Sequence, residues 1–163
     1  LKLNKYLDLP ERLNIDEFSR VKYFSNNILH LIIALIPKNV KKILTALKFN
    51  SKDILIGDFI DKYRANHFDF SKIEKIINLK DKSEQEKFRN LFINLTKYNG
   101  DMELSLLIKE MIIKYLPIDG QYLKQKGLTG RELGLKLKEI HEYWTDNNYS
   151  ITNEEIDKLI ETK

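Results

Sequence analysis

Cysteine is absent from this chain, which excludes disulfides and thiolate metal sites and fits a reducing compartment such as the cytosol. Histidine is scarce: the three are His30, His67 and His141, too few and too scattered for the clustered His and Asp sets of metal-dependent hydrolases. His30 sits within apolar sequence and reads as a buried, hydrogen-bonded core residue. His67, two residues from Asp69, reads as part of a loop, and His141, beside Glu142, as solvated. No long hydrophobic run is present. The longest, Ile28 to Ile36, contains His30 and stops at Pro37, well short of the roughly 20 residues that span a bilayer. Signal-peptide and lipidation patterns are missing, so no membrane partner is expected. The chain starts at Leu1 and not at methionine, and the expectation is a piece of a longer protein acting in the cytoplasm.

Strand signals are nearly missing too, since Val/Ile/Thr alternation does not occur. Catalytic patterns fare no better. There is no Gly-Lys-Ser or Gly-Lys-Thr of a P-loop, and no Asp-x-Asp after Gly-Ser of the kind that holds magnesium against a triphosphate. No catalytic residue and no metal ligand is assigned.

What the chain does have is helical periodicity. Asn14 with Glu17 offers a cap opening a segment through Phe18, Val21 and Phe24. Ile28 to Ile36 forms a buried helix. Val40, Ile43, Leu44 and Leu47 outline a short one, and Ser51 is expected to cap the next, through Ile54, Leu55, Phe59, Ile60 and Tyr63. Phe70, Ile73, Ile76 and Ile77 give another. Phe88, Leu91, Phe92 and Leu95 lie on a longer helix that stops at Asn99-Gly100. Leu104, Leu107, Ile108, Met111, Ile112 and Tyr115 predict a strongly apolar helix closed by Pro117. Thr152 with Glu155 caps a last one through Ile156, Leu159 and Ile160. The fold class is therefore all-α, a compact multi-helix body with a small helical tail. The composition shift at Pro117 sets the expected domains as 1–117 and 118–163.

The tail holds the most distinctive stretch. Four of the six glycines, Gly120, Gly127, Gly130 and Gly134, fall within fifteen residues. A short amphipathic segment leads into a glycine-punctuated turn, and a helix begins at Thr129 or Gly130. Thr129 with Glu132 fits a capping box, and Leu133, Leu137, Ile140 and Trp144 repeat at helical spacing. Gly134 lies inside the first turns, where glycine costs roughly 1 kcal/mol relative to alanine. Either another helix or a ligand backbone comes close there. Lys124, Lys126, Arg131 and Lys138 surround the turn. Helix amides, small residues and cations together suit a phosphate backbone, while helix packing is the structural alternative. The net charge of +4 permits an anionic partner without requiring one. Lys38, Lys41 and Lys42 form a second basic group, read as a solvated face, with a phosphate track as the sharper alternative.

The run Asp119-Gly120-x-x-Leu123-x-x-x-Gly127-Leu128-x-x-Arg131-Glu132-Leu133-Gly134-x-x-Leu137-x-x-Ile140-x-x-x-Trp144, followed by Tyr149 and Thr152-x-Glu154-Glu155, resembles the C-terminal tail of bacterial-type, class II CCA-adding tRNA nucleotidyltransferases of the poly(A) polymerase family. Lys38-Asn39-Val40 to Ser51-Lys52-Asp53 also looks like a body segment of that family. Gln121 departs from it, standing where an acidic or basic residue is common. The resemblance implies a division of labour. An N-terminal head and neck, absent here along with their Asp-x-Asp and Glu-Asp-x-x-Arg patterns, would hold magnesium and read CTP and ATP. The body and tail would hold tRNA, not DNA, through Lys124, Lys126, Gly127, Gly130, Arg131, Gly134 and Lys138. On that reading the chain alone is inactive. The rival expectation is an all-helical protein-interaction or dimerisation module without RNA affinity.

Overall fold

The computed structural model describes residues 12–161, and among these every regular element is a helix and no strand occurs. In chain order they are α1 (Ile15–Phe24), α2 (Ile28–Leu35), α3 (Val40–Ala46), α4 (Ser51–Tyr63), α5 (Phe70–Asn78), α6 (Lys82–Asn99), α7 (Met102–Glu110), α8 (Gly120–Gln125), α9 (Gly130–Asp146) and α10 (Asn153–Glu161). The all-α expectation holds. The start at Leu1 lies outside the described residues.

Caps explain most of the boundaries. Asn14 Oδ1 accepts the Glu17 N–H at 3.2 Å, as its spacing predicts. Asn27 does the same for Leu29 N–H at 2.9 Å, so the Asn26-Asn27 pair is a helix start. The cap of α4 is Asn50, which accepts from Asp53 N–H; Ser51, expected there, is already the first helical residue. α6 stops at Asn99 because Gly100 turns left-handed, with φ +87°. A Cβ on Gly100 would also meet the Phe24 ring at 2.9 Å.

The chain divides into two compact units. The first comprises Leu1–Ile73 with Lys87–Met111, and the second Glu74–Glu86 with Ile112–Lys163. In the first unit Val21, Ile33, Val40, Leu44, Ile60 and Tyr98 are fully buried. Gly57 lets α3 and α4 pack closely, since a Cβ there would collide with Leu44 Cδ1. His30 is also fully buried. Its Nε2–H donates to Asn94 Oδ1 at 3.3 Å, because the Asn94 amide nitrogen is committed to the Asn90 carbonyl. Its Nδ1 therefore accepts the Ser25 hydroxyl at 3.1 Å. Burial, and then the nearby Lys97 charge, hold this imidazole below its ordinary pKa against the opposing pull of the Asn94 bond. Glu17 takes two hydrogen bonds from Arg20 and one from the Tyr98 hydroxyl. Burial first, and then that bond to Glu17, push Tyr98 up to about 12.

One expected helix is shorter than its pattern. Met111, Ile112 and Tyr115 continue the spacing of α7, yet the helix ends at Glu110 and residues 111–116 have no regular structure. Side chains distant in sequence take the backbone groups instead. Asn78 Oδ1 accepts the Lys114 N–H at 3.1 Å, and Gln85 Nε2 donates to the Lys114 carbonyl at 3.3 Å. Ile112 is consequently 80% exposed.

Candidate nucleic-acid interface

The second unit is built around Leu123, Leu128, Ile140 and Ile156, all buried, with Leu133, Leu137 and Leu159 packed against them. The glycine turn grows out of this core. Asp119 caps α8 by accepting from Gln121 N–H and Tyr122 N–H at 2.9 and 3.0 Å. α8 ends in a Schellman motif: Leu128 N–H reaches the Leu123 carbonyl and Gly127 N–H the Lys124 carbonyl. That motif requires a left-handed residue, and Gly127 has φ +91°. Leu128 then folds back beside Leu123 into the core.

Gly130 opens α9, again left-handed at φ +54°. The consequence falls on the cap. Thr129 occupies the N-cap position but its side chain makes no cap hydrogen bond, so the Thr129 and Glu132 capping box does not form. The same Thr-x-x-Glu pattern at Thr152 does close. Thr152 Oγ1 accepts from Glu155 N–H at 3.3 Å, and Glu155 Oε2 accepts the Thr152 N–H at 2.7 Å. The Thr152 N–H first, and then the Thr152 hydroxyl donating to Oε2 at 2.9 Å and the Tyr143 hydroxyl donating to Oε1, hold the Glu155 carboxyl below its usual range. The difference is local: Thr152 leads into ordinary helix, Thr129 into a left-handed glycine. Among the described residues no side chain accepts from the first amides of α9, which makes that end receptive to an anion.

Gly134 differs from the other two. Its φ is not in the left-handed region, and no atom lies within 4 Å of where its Cβ would be. No helix of the second unit packs there, so the packing alternative has no support at this position. By helical spacing Arg131, Gly134 and Lys138 share one face of α9, and all three are exposed.

The flanking cations are not equivalent. Lys124 and Arg131 are exposed and make no ion pair among the described residues. Lys126 is tied to α10 through Asp157 at 2.8 Å and lies 5.6 Å from the Tyr122 ring centroid. Its bond to Asp157, chiefly, raises its pKa. Lys138 faces Glu142 at 3.7 Å, with both side chains well exposed, a pairing worth little in water.

Sequence reasoning missed a polar hub under α9. The Asn78 carbonyl, on a fully buried residue, accepts from His141 Nε2–H at 2.9 Å and from Gln85 Nε2–H at 3.3 Å. His141 is thus an anchored residue and not a solvated one. Its position four residues after Leu137 and three before Trp144 on the apolar stripe was the available signal. Trp144 is buried and meets the Tyr149 ring edge-on at 5.1 Å, so it belongs to the core. Among the described residues no group of three His, Cys, Asp or Glu is placed to hold a metal ion, and no helix is long and apolar enough to cross a membrane.

No family model matches the chain. Curated proteins do. Over 96% of its length it is 24% identical to the zebrafish (Danio rerio) protein "CCA tRNA nucleotidyltransferase 1, mitochondrial". The likeness is to CCA tRNA nucleotidyltransferases. The mouse (Mus musculus) protein of the same name is 24% identical over 93% of the chain, and the human (Homo sapiens) one 24% over 96%. The chain spans only 39%, 37% and 38% of these relatives' lengths. The likeness runs along nearly the whole chain. The relatives are mitochondrial proteins of animals by name, not members described as bacterial.

Proposed function

We propose that this chain is the tRNA-holding part of a CCA-adding nucleotidyltransferase of the bacterial-type, class II kind, working in the cytoplasm beside a head and neck that supply the chemistry. The carboxylates, magnesium, CTP and ATP belong to that other part. The tail, residues 118–163, grips the folded RNA by shape and phosphate. The open space over Gly134, flanked on the same helical face by Arg131 and Lys138, carries the reading. A phosphate backbone can approach the helix there where any side chain would hold it off, and the uncapped amides of α9 add favourable charge.

Titrating the chain with tRNA that carries or lacks its CCA end, across a salt series, tests this. Binding that weakens as salt rises is expected, and Arg131→Glu should weaken it further and lower the salt slope by about 1. No detectable binding at any salt, or binding indifferent to salt, refutes the proposal. A second reading has one observation in its favour: α7 exposes Met102, Leu106 and Leu107 at 47%, 56% and 50%, the kind of surface that protein partners cover. A tight dimer in gel filtration with no RNA affinity would select it.

A further inference from the structure

Two cavities of the second unit meet along α9. One, of about 310 Å³, is bordered by Lys82, Gln85, Tyr115, Leu137 and His141, among others. The other, also about 310 Å³, is bordered by Gly134 and Lys138 and shares Leu137 and His141 with the first. Leu137 and His141 thus adjoin both the Gly134 face and the cavity beside Tyr115. The first cavity has the makings of a site. Gln85 is 2% exposed, and its amide nitrogen is fixed by donating to two carbonyls. Its buried Oε1 accepts nothing. His141 commits Nε2–H to the Asn78 carbonyl, which leaves Nδ1 as an acceptor. Tyr115, at 51% exposure, offers a ring with the Lys82 ammonium 5.2 Å from its centroid.

Unmatched acceptors ask for N–H donors, an aromatic wall asks for a flat π-system, and the volume lies at the lower bound of small-molecule sites. We infer that the cavity between Gln85, His141 and Tyr115 takes one unpaired nucleobase of the bound RNA. Its amino or imino N–H groups donate to Gln85 Oε1 and His141 Nδ1, and its face lies against Tyr115. The strand that carries it runs past Lys138 and Gly134. This rests on the RNA-holding reading but is separable from it. A phosphate grip needs no base, and a base needs no salt-sensitive contact.

The test uses the whole chain, ¹⁵N-labelled, titrated with each of the four free nucleosides, and separately with tRNA. At least one nucleoside is expected to shift the Gln85 side-chain amide and the His141 ring signals alike at low and high salt. Tyr115→Ala, half-exposed and outside the helices, should remove the nucleoside response and weaken tRNA binding roughly tenfold, through lost stacking, with the salt slope unchanged. Tyr115→Phe should retain both. If all four nucleosides leave these signals still, or Tyr115→Ala leaves tRNA affinity intact, the base site is refuted while salt-dependent tRNA binding stands. Nucleoside shifts with no tRNA binding at all would leave the site and overturn the grip.

Discussion

Alanine at position 134 separates folding from binding by opposite signs. In the free chain Gly134→Ala replaces the residue that loses most backbone freedom on entering a helix, a gain of roughly 1 kcal/mol. Nothing offsets it, because the added methyl has no neighbour within 4 Å and the φ there is not left-handed. For a chain of this size that gain raises Tm by about 2–4 °C. The same methyl stands where the RNA backbone is proposed to lie. Forcing a carbon into a close contact costs about 1–3 kcal/mol, which weakens tRNA binding roughly 5- to 150-fold. The assay is a pair: thermal unfolding without RNA, and a tRNA titration at one fixed salt. Loss of stability would mean that the space over Gly134 is occupied in the free protein. Raised stability with unchanged affinity would mean that no ligand backbone comes near it.

Other outcomes follow from the same physics. Gly57→Ala should destabilise by about 1 kcal/mol or more, because its methyl meets Leu44 Cδ1 and Val40 Cγ1 in a filled core; chemical denaturation reads this directly. Leu123→Ala, removing a fully buried side chain of the second unit, should cost about 2–5 kcal/mol, whereas Lys126→Ala should change stability by less than about 1 kcal/mol, since its pairing with Asp157 is exposed. His30 resists protonation when folded, so the unfolded chain binds the extra proton more readily. The stability it contributes is complete above its unfolded pKa of about 6.5 and declines as pH falls through that value. Unfolding measured from pH 7.5 to pH 5 should show the decline, and His30→Gln should flatten it.

Local signals carried most of the fold. The caps at Asn14 and Thr152 and the stop at Asn99-Gly100 are settled within four residues of sequence, so spacing alone finds them. The end of α7 is not, because Asn78 and Gln85, which hold the Lys114 backbone, lie 36 and 29 residues away. Two copies of Thr-x-x-Glu behave differently because one precedes a left-handed glycine, which no count of spacings registers. His141 looked solvated beside Glu142, since its carbonyl partner is 63 residues distant. At the glycine turn the residues left packing and phosphate approach open. In the fold the three differ: Gly127 serves a Schellman turn, Gly130 a left-handed helix entry, and Gly134 an open surface.

The segment after α7 has a kinetic implication. Its side-chain pattern favours helix from Leu104 to Tyr115, so the newly made or refolding chain should run that helix past Glu110 before Asn78 and Gln85 arrive. Reaching the native state then means unwinding a turn already formed, a small local conflict on an otherwise consistent landscape. A peptide covering residues 102–116 should be helical further along than the protein is. In the intact chain the Lys114 amide, held among the described residues by Asn78 alone, should exchange its hydrogen whenever that contact opens.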